Sequence, residues 1–295
     1  MKVPALLLVL GFAFLTASAS FGILRMDAPR GGVVVEPGQR VVSLTPAITQ
    51  TLFAIGAGAA VAGVSDYCDE PPQVNALPRL GTGITPRYEQ IAELRPALIV
   101  SEETGASRGQ ELEAIAPTLL LPWLSLDEIV KSTRALGTAT GHEAKAEALA
   151  ERLETRLGVT PPPGAPRVLL VLGYEPERLK EIWFIRRNSL HGAALHAAGA
   201  QNAVDRDVFG LPRLGLERLL EIDPDAIIVL VARPVEPAGI LNGWRALAPL
   251  RAVVNQRVSV IDAPEAFDDG PRIFRLVERL ERELARLFPG KDRPR

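Results

Sequence analysis

The feature that most constrains this chain is an internal repeat. Residues 52–61 (LFAIGAGAAV) and 195–204 (LHAAGAQNAV) share Leu, Ala, Gly, Ala, Ala and Val at the same spacing. The segment LPRLG stands at 77–81 and again at 211–215. Residues 89–96 (EQIAELRP) resemble 217–224 (ERLLEIDP), and each leads into an apolar run, 97–100 and 226–231. The matches keep their order but are offset by 143, 134 and 128 residues, so the first half carries extra loop residues. Two related lobes are expected. The 295-residue length agrees, at roughly 150 residues per domain.

Each half reads as alternating strand and helix. In the first, residues 40–44, 60–64, 98–100 and 118–121 are short apolar strands, and 48–55, 86–94 and 110–115 are helices. Ser43 or Thr45 caps the first helix, with Pro46 allowed in its first turn and Gly56 as its stop. In the second, 167–172, 226–231 and 258–261 are strands, and 189–198 and 216–221 are helices. Apolar strands separated by helices predict an α/β fold, with mostly parallel central sheets covered on both faces.

Between the halves, residues 125–157 are rich in Ala, Glu, Lys, Arg and spaced leucines. Ser125 with Glu128 forms a capping-box pattern. The expectation is a long helix across 125–160, about 45 Å if unbroken, with Gly137 and Gly141 as points of bending or breakage. The proline-rich stretch 161–166 ends it. The lobes are then 39–124 and 161–295.

The start of the chain reads as an address. Met1 and Lys2 precede an apolar run at 3–15, and residues 16–19 (TASA) carry the small-residue spacing of a signal-peptidase site. Residues 1–20 are expected to be a signal peptide cleaved near Ala19, followed by a flexible segment at 21–38. An uncleaved anchor is the alternative, although ~13 apolar residues fall short of the ~20 that span a bilayer. No cysteine follows the leader, so no lipid-anchored cysteine is expected. Export to the periplasm is the implied destination.

Composition removes several classes. Net charge is −2 and aromatics are 5%, which disfavours nucleic-acid binding. One cysteine, Cys68, excludes an internal disulfide and CxxC chemistry. Three histidines make a His-rich metal site unexpected. No GxSxG, P-loop or HExxH motif is present, and the Gly56-x-Gly58 pair follows a helix rather than a strand. The expectation is a binder, not an enzyme, with no catalytic residues, no bound metal and no cofactor.

Three segments carry a family resemblance: residues 40–47 (RVVSLTPA), 63–72 (GVSDYCDEPP), and Glu89 onward to 94–100 (LRPALIV). Together they resemble the substrate-binding proteins of cobalamin and iron-siderophore ABC importers, most closely the cobalamin-binding branch. The likeness covers about residues 40–287. It implies a helical-backbone periplasmic binding protein: two α/β lobes bridged by a rigid helix, ligand in the cleft, little hinge closure, and delivery by a monomer to a permease dimer with its ATPase subunits. It also implies that Glu89 and Glu217, at equivalent positions of the two halves, dock against arginines of the permease. Their other reading is a carboxylate that favours a helix N-terminus.

Cleft contacts are expected from loops at strand ends. Lobe one offers Thr45, Pro46, Ala47, Asp66, Tyr67, Gly83, Glu102 and Thr104; lobe two offers Tyr174, Trp183, Asn188, Ser189, Phe209, Phe267 and Asp268. Tyr67 and Trp183 either stack on a large planar ligand or pack in the core. Trp123 stands between cleft and interlobe packing, and Trp244 reads as structural. The Glu102–Glu103 pair is either a contact or solvated loop charge. His191 either touches ligand or caps a helix at the surface, and Cys68 reads as a small buried residue. Apart from Arg186, Arg187 and Arg272, the charges in these loops are acidic: Asp66, Glu102, Glu103, Glu175, Asp268 and Asp269. That set suits the amide periphery of cobalamin or cobinamide better than the carboxylates of haem or an anionic ferric siderophore. Molybdate and metal ions are the remaining alternatives.

Overall fold

The structure is a computed structural model that describes residues 34–173, 181–267 and 269–290. The expected leader and most of the 21–38 segment therefore lie outside the described residues, as do Tyr174, Glu175 and Asp268.

Lobe one runs β1 (Val41–Ser43), α1 (Pro46–Ala54), β2 (Val61–Val64), α2 (Tyr88–Glu93), β3 (Leu98–Glu102), α3 (Gly109–Glu113) and β4 (Thr118–Leu121). Its strands are parallel in the order β2-β1-β3-β4. Two helices follow, α4 (Leu126–Thr140) and α5 (Glu143–Leu157). Lobe two runs β5 (Arg167–Leu172), β6 (Ile182–Trp183), α6 (Leu190–Ala197), β7 (Gln201–Asn202), β8 (Arg213–Leu214), α7 (Leu216–Ile222), β9 (Ala226–Val231), α8 (Pro237–Arg245), α9 (Arg251–Val254), β10 (Val258–Asp262) and α10 (Ile273–Leu287). Its main sheet is parallel in the order β7-β5-β9-β10. Setting β1, β2, β3 and β4 against β5, β7, β9 and β10 gives one topology twice. Lobe two adds an antiparallel pair, β6 with β8.

The repeated segments fall at equivalent places. Gly56 after α1 and Gly199 after α6 have φ of 91° and 92°. At both ends the glycine N–H donates three residues back, to Phe53 or His196, and the next N–H donates five back, from Ala57 to Leu52 and from Ala200 to Leu195. Glycine enters this left-handed conformation without a Cβ penalty, which is why the repeat keeps it. Arg95 after α2 and Asp223 after α7 are also left-handed, with φ of 46° and 41°.

The expected single bridge is two helices. Ser125 and Glu128 form the full capping box at the start of α4. Gly141, at φ 67°, then ends α4, and α5 returns alongside it. A Cβ on Gly137 would sit 2.3 Å from the Ala146 Cβ, so this glycine permits the close approach of the two helices. Arg134 on α4 spans to Glu147 and Glu154 on α5, at 2.8 and 3.1 Å. Helix propensity is high on both sides of the turn, and one left-handed glycine decides between a long rod and a hairpin. Each helix is ~22 Å long, half the expected rod. The crossing between lobes falls to α5. It starts beside Gly56, where Lys145 and His142 approach, and ends at α10, where Arg156 meets Glu281 at 2.9 Å.

Strand alternation assigns each sheet face to a core. Val41, Leu98 and Val100 of lobe one and Val168, Leu170, Ile228 and Leu230 of lobe two face one continuous core, which also holds Leu136, Leu153 and Leu280 from α4, α5 and α10. The opposite faces have separate cores, around Val42, Ile99 and Leu112 in lobe one and around Leu169, Val229 and Trp244 in lobe two. A core shared by both lobes ties them into one body.

Candidate functional site

The C-terminal ends of the parallel strands are brought together between the lobes. The Trp123 indole N–H, just past β4, donates to the Asp269 carbonyl at 2.9 Å. Leu190 N–H donates to the Leu124 carbonyl at 3.2 Å. Glu70, in the loop after β2, pairs with Arg272 at 3.2 Å. His191, buried in the first turn of α6, holds the Asp269 carboxylate through Nδ1 at 2.8 Å. The loop between β10 and α10 is thus the seam between lobes. Trp123 is interlobe packing, and His191 is buried rather than at the surface.

The expected site residues divide by what their polar atoms already do. Thr45 caps α1 with an extended backbone, yet its hydroxyl accepts from the Glu102 N–H at 3.1 Å instead of from the helix. Pro46 follows in the first turn, and Ala47 is buried in the shared core. The Ser189 hydroxyl caps α6 at Gly192 N–H, 3.1 Å. Asn188 brackets the Val208 backbone at 3.1 and 3.4 Å, which ties down the loop that carries Phe209. Thr104 closes its own turn with Ser107 at 3.1 Å. Gly83 sits where a Cβ would lie 2.3 Å from the Ser101 hydroxyl, so any larger residue would displace that side chain.

Among the described residues, four of the expected cleft aromatics are exposed: Tyr67 (74%), Phe209 (82%), Phe267 (49%) and Trp183 (41%). Phe267 stands two residues before the seam residue Asp269. Trp244 and Cys68 are buried, at 1% each.

Charge is mostly matched. Asp66 is gripped by Arg87 through two contacts of 2.8 and 2.9 Å. Arg187 pairs with Asp205 and Asp207, Arg213 with Glu181, and Arg272 with Glu70. Glu102, at the end of β3, is different. Burial, reinforced by the facing Asp269 charge, raises its pKa from 4.5 to about 7. Near neutrality it is partly protonated, so its carboxyl both donates and accepts hydrogen bonds. Among the described residues no group of three metal-ligating side chains is assembled.

Glu89 and Glu217 occupy the same position, the second residue of α2 and of α7, and both are exposed. Among the described residues neither makes an ion pair, in contrast to Glu221 on α7, which holds Arg218. Sequence reasoning did not single out Glu70, which crosses the seam, or Arg79 and Arg213, which hold cleft-side loops. The last two were legible as the only charged residue of each LPRLG segment.

The profile of the periplasmic binding protein family matches residues 41–265. The vitamin B12-binding protein of Pectobacterium carotovorum is 27% identical over 264 residues, covering 86% of this chain and 91% of its own. Two solved structures have the same fold, each at 24% identity and a TM-score of 0.65. They are the periplasmic vitamin B12 binding protein of Vibrio cholerae (84% of this chain, 97% of that one) and a periplasmic heme binding protein of Pseudomonas aeruginosa (86% and 94%).

Proposed function

We propose that this chain, which belongs to the periplasmic binding protein family, captures cobalamin or a related corrinoid between its lobes and delivers it to a membrane permease. Its class is the substrate-binding component of an ABC importer for ligands of the cobalamin, haem or siderophore type. Proteins of this class bind and release rather than catalyse, and they carry no cofactor. Residues 1–20 serve as the export signal, cut near Ala19, and the mature protein works in the periplasm. Among the described residues no helix is long and apolar enough to cross a membrane.

The observation that carries the corrinoid reading is the chemistry left available at the strand ends. Tyr67, Trp183, Phe209 and Phe267 offer exposed ring faces for a large macrocycle. Of the three arginines that would draw a haem propionate or ferric siderophore, Arg187 and Arg272 already face carboxylates, and Arg186 donates to the Gly210 carbonyl at 3.3 Å. Glu102, partly protonated and facing Asp269, suits an amide that both donates and accepts. The likeness to the vitamin B12-binding protein of Pectobacterium supports the same choice.

Glu89 and Glu217 are the docking residues. Two unpaired carboxylates at equivalent places on duplicated lobes suit a two-fold symmetric partner that presents the same basic pocket twice. The deciding experiment is calorimetry of the mature protein with cyanocobalamin, haemin and a ferric siderophore. Tight binding of cyanocobalamin alone is expected. Silence with cyanocobalamin and tight haemin binding would reverse the assignment.

A further inference from the structure

The repeated LPRLG segment is not explained by a shared backbone turn. Gly81 is left-handed at φ 83°, whereas Gly215 has φ −79° and caps α7. What the two copies share is an arginine that contacts either an exposed aromatic or the loop that carries one. In lobe one, Arg79 Nη1 donates to the Ser65 carbonyl at 3.2 Å and to the Cys68 carbonyl, while Nη2 donates to Asn75 Oδ1 at 3.1 Å. Ser65 and Cys68 bracket Tyr67. Arg87 reinforces the clamp by donating to the Arg79 carbonyl at 2.6 Å while it grips Asp66. In lobe two, Arg213 lies directly across the β6–β8 ladder from Trp183, with its guanidinium 5.5 Å from the ring centroid. That is within cation–π range. Glu181 holds the same guanidinium at 2.9 Å.

We propose that Arg79 and Arg213 are paired positioning residues, one in each lobe: Arg79 fixes the loop that offers Tyr67 to the ligand, and Arg213 holds the Trp183 ring. The inference rests on the corrinoid reading for its ligand and on geometry for its mechanism. A loop or ring must give up conformational freedom when a ligand settles on it, and one held beforehand loses less. The two clamps differ in chemistry. Arg79 uses the planar fork to reach three acceptors, which a lysine ammonium cannot reproduce. Arg213 acts through its charge over a ring face, which lysine partly keeps.

Each lobe contains its own reporter. Trp123 and Trp244 are 3% and 1% exposed, so acrylamide quenching of tryptophan emission reads Trp183. Cys68 is the only cysteine and is 1% exposed, so its reaction with a thiol reagent reads the loop that Arg79 holds. These readouts, with cyanocobalamin titration and melting temperature, are measured in wild type, Arg79→Ala, Arg79→Lys, Arg213→Ala and Arg213→Lys. Arg213→Ala should raise quenching and weaken binding about three-fold, with Arg213→Lys restoring most of both. Arg79→Ala should speed Cys68 modification about ten-fold and weaken binding about five-fold, and Arg79→Lys should rescue neither. Asn75→Ala removes one exposed anchor of Arg79 and should give a smaller change in the same direction, which covers a misfolded Arg79→Ala. Wild-type quenching and thiol reactivity in the alanine variants overturn the proposal. So do reporters that move without any change in cyanocobalamin affinity. A wild type that ignores cyanocobalamin overturns the corrinoid reading instead, and the two reporters then decide the positioning role by themselves.

Discussion

The two lobes share a backbone and differ in what is packed on it. Both sheets follow the same strand order, and both place left-handed residues at the ends of matching helices, Gly56 with Gly199 and Arg95 with Asp223. The outer cores diverge. Lobe one fills its outer face with aliphatic residues such as Val42, Leu80, Ile91 and Leu112. Lobe two builds a larger outer core that includes Phe184 and Trp244 and is closed by the added β6–β8 pair. The helix-end turns therefore stayed alike in the two lobes while the packing drifted. Turns have few solutions, because a chain reversal at fixed length needs one particular backbone conformation. A core needs only volume and apolarity, and many residue sets supply both.

The largest expected effect tests whether the lobes are still equivalent where they meet a partner. Reversing both docking charges, Glu89→Arg with Glu217→Arg, should abolish uptake and leave ligand affinity within two-fold of wild type. Either single reversal should cost about the same, because a two-fold partner sees one pocket twice. Normal uptake by the double variant would remove the docking assignment. A large loss from only one single variant would show that the lobes no longer dock alike.

Next in size are the outer cores. Trp244→Ala in lobe two should cost ~3–5 kcal/mol and Leu112→Ala in lobe one ~2–5 kcal/mol in denaturant unfolding. The ring fills more volume, so the tryptophan should sit at the upper end. Because α4, α5 and α10 join both sheets in one core, each variant should still melt in a single transition. Two separate transitions would show that the shared core does not couple the lobes.

The sequence made the equivalence legible but not the divergence. The strands 118–121, 167–172 and 226–231 were read to the residue, because a buried parallel strand is a short apolar run with polar ends. Ser125 announced α4 through a local capping pattern. The hairpin of α4 and α5 was not readable, since Gly141 acts as a stop only when a neighbouring helix rewards the reversal. The two-residue strands β6, β7 and β8 were missed, because no periodicity exists at that length. Helix α10 was legible and overlooked: Ile273, Leu276, Val277, Leu280, Leu284 and Leu287 repeat at helical spacing, and all are buried. Loop position made the exposure of Tyr67, Trp183, Phe209 and Phe267 legible. Asn188 and Ser189 are expected cleft contacts whose polar atoms hold backbone, which depends on contacts no spacing reveals.

A third test concerns charge at the strand ends. Strand β3 ends in Glu102, whereas its counterpart β9 ends in buried Val231. Burial and Asp269 raise the Glu102 pKa to about 7. The folded state therefore holds this proton more tightly than the unfolded chain does. The stabilisation is fully present below about pH 4.5 and is lost as pH rises through about 7. Glu102→Gln has no proton to lose, so the decline in stability between pH 5 and pH 8 should be shallower than in wild type. An unchanged slope would place the titration elsewhere, and the asymmetry between the strand ends would have no electrostatic consequence.

The smallest effect is the sharpest comparison, because it sets identical backbone against different side chains. Arg95 and Asp223 hold equivalent left-handed positions, each followed by proline. A side chain there costs ~1–2 kcal/mol relative to a relaxed residue, and glycine removes that cost. Glycine also widens the unfolded ensemble, which takes back ~0.4–1 kcal/mol. Arg95 is exposed, so Arg95→Gly should be neutral to ~1 kcal/mol stabilising. Asp223 does more than turn the chain. Its carboxylate accepts from the Arg251 N–H at 2.8 Å and from Arg251 Nε at 2.7 Å, and these bonds hold its pKa below the usual carboxylate range. Asp223→Gly also loses these charge-assisted bonds and should come out destabilising relative to Arg95→Gly. That difference in urea unfolding would show that lobe two converted an inherited turn into an anchor for α9. Equal changes at both positions would mean that the backbone conformation alone sets the energy, and that the contacts of Asp223 are incidental to it.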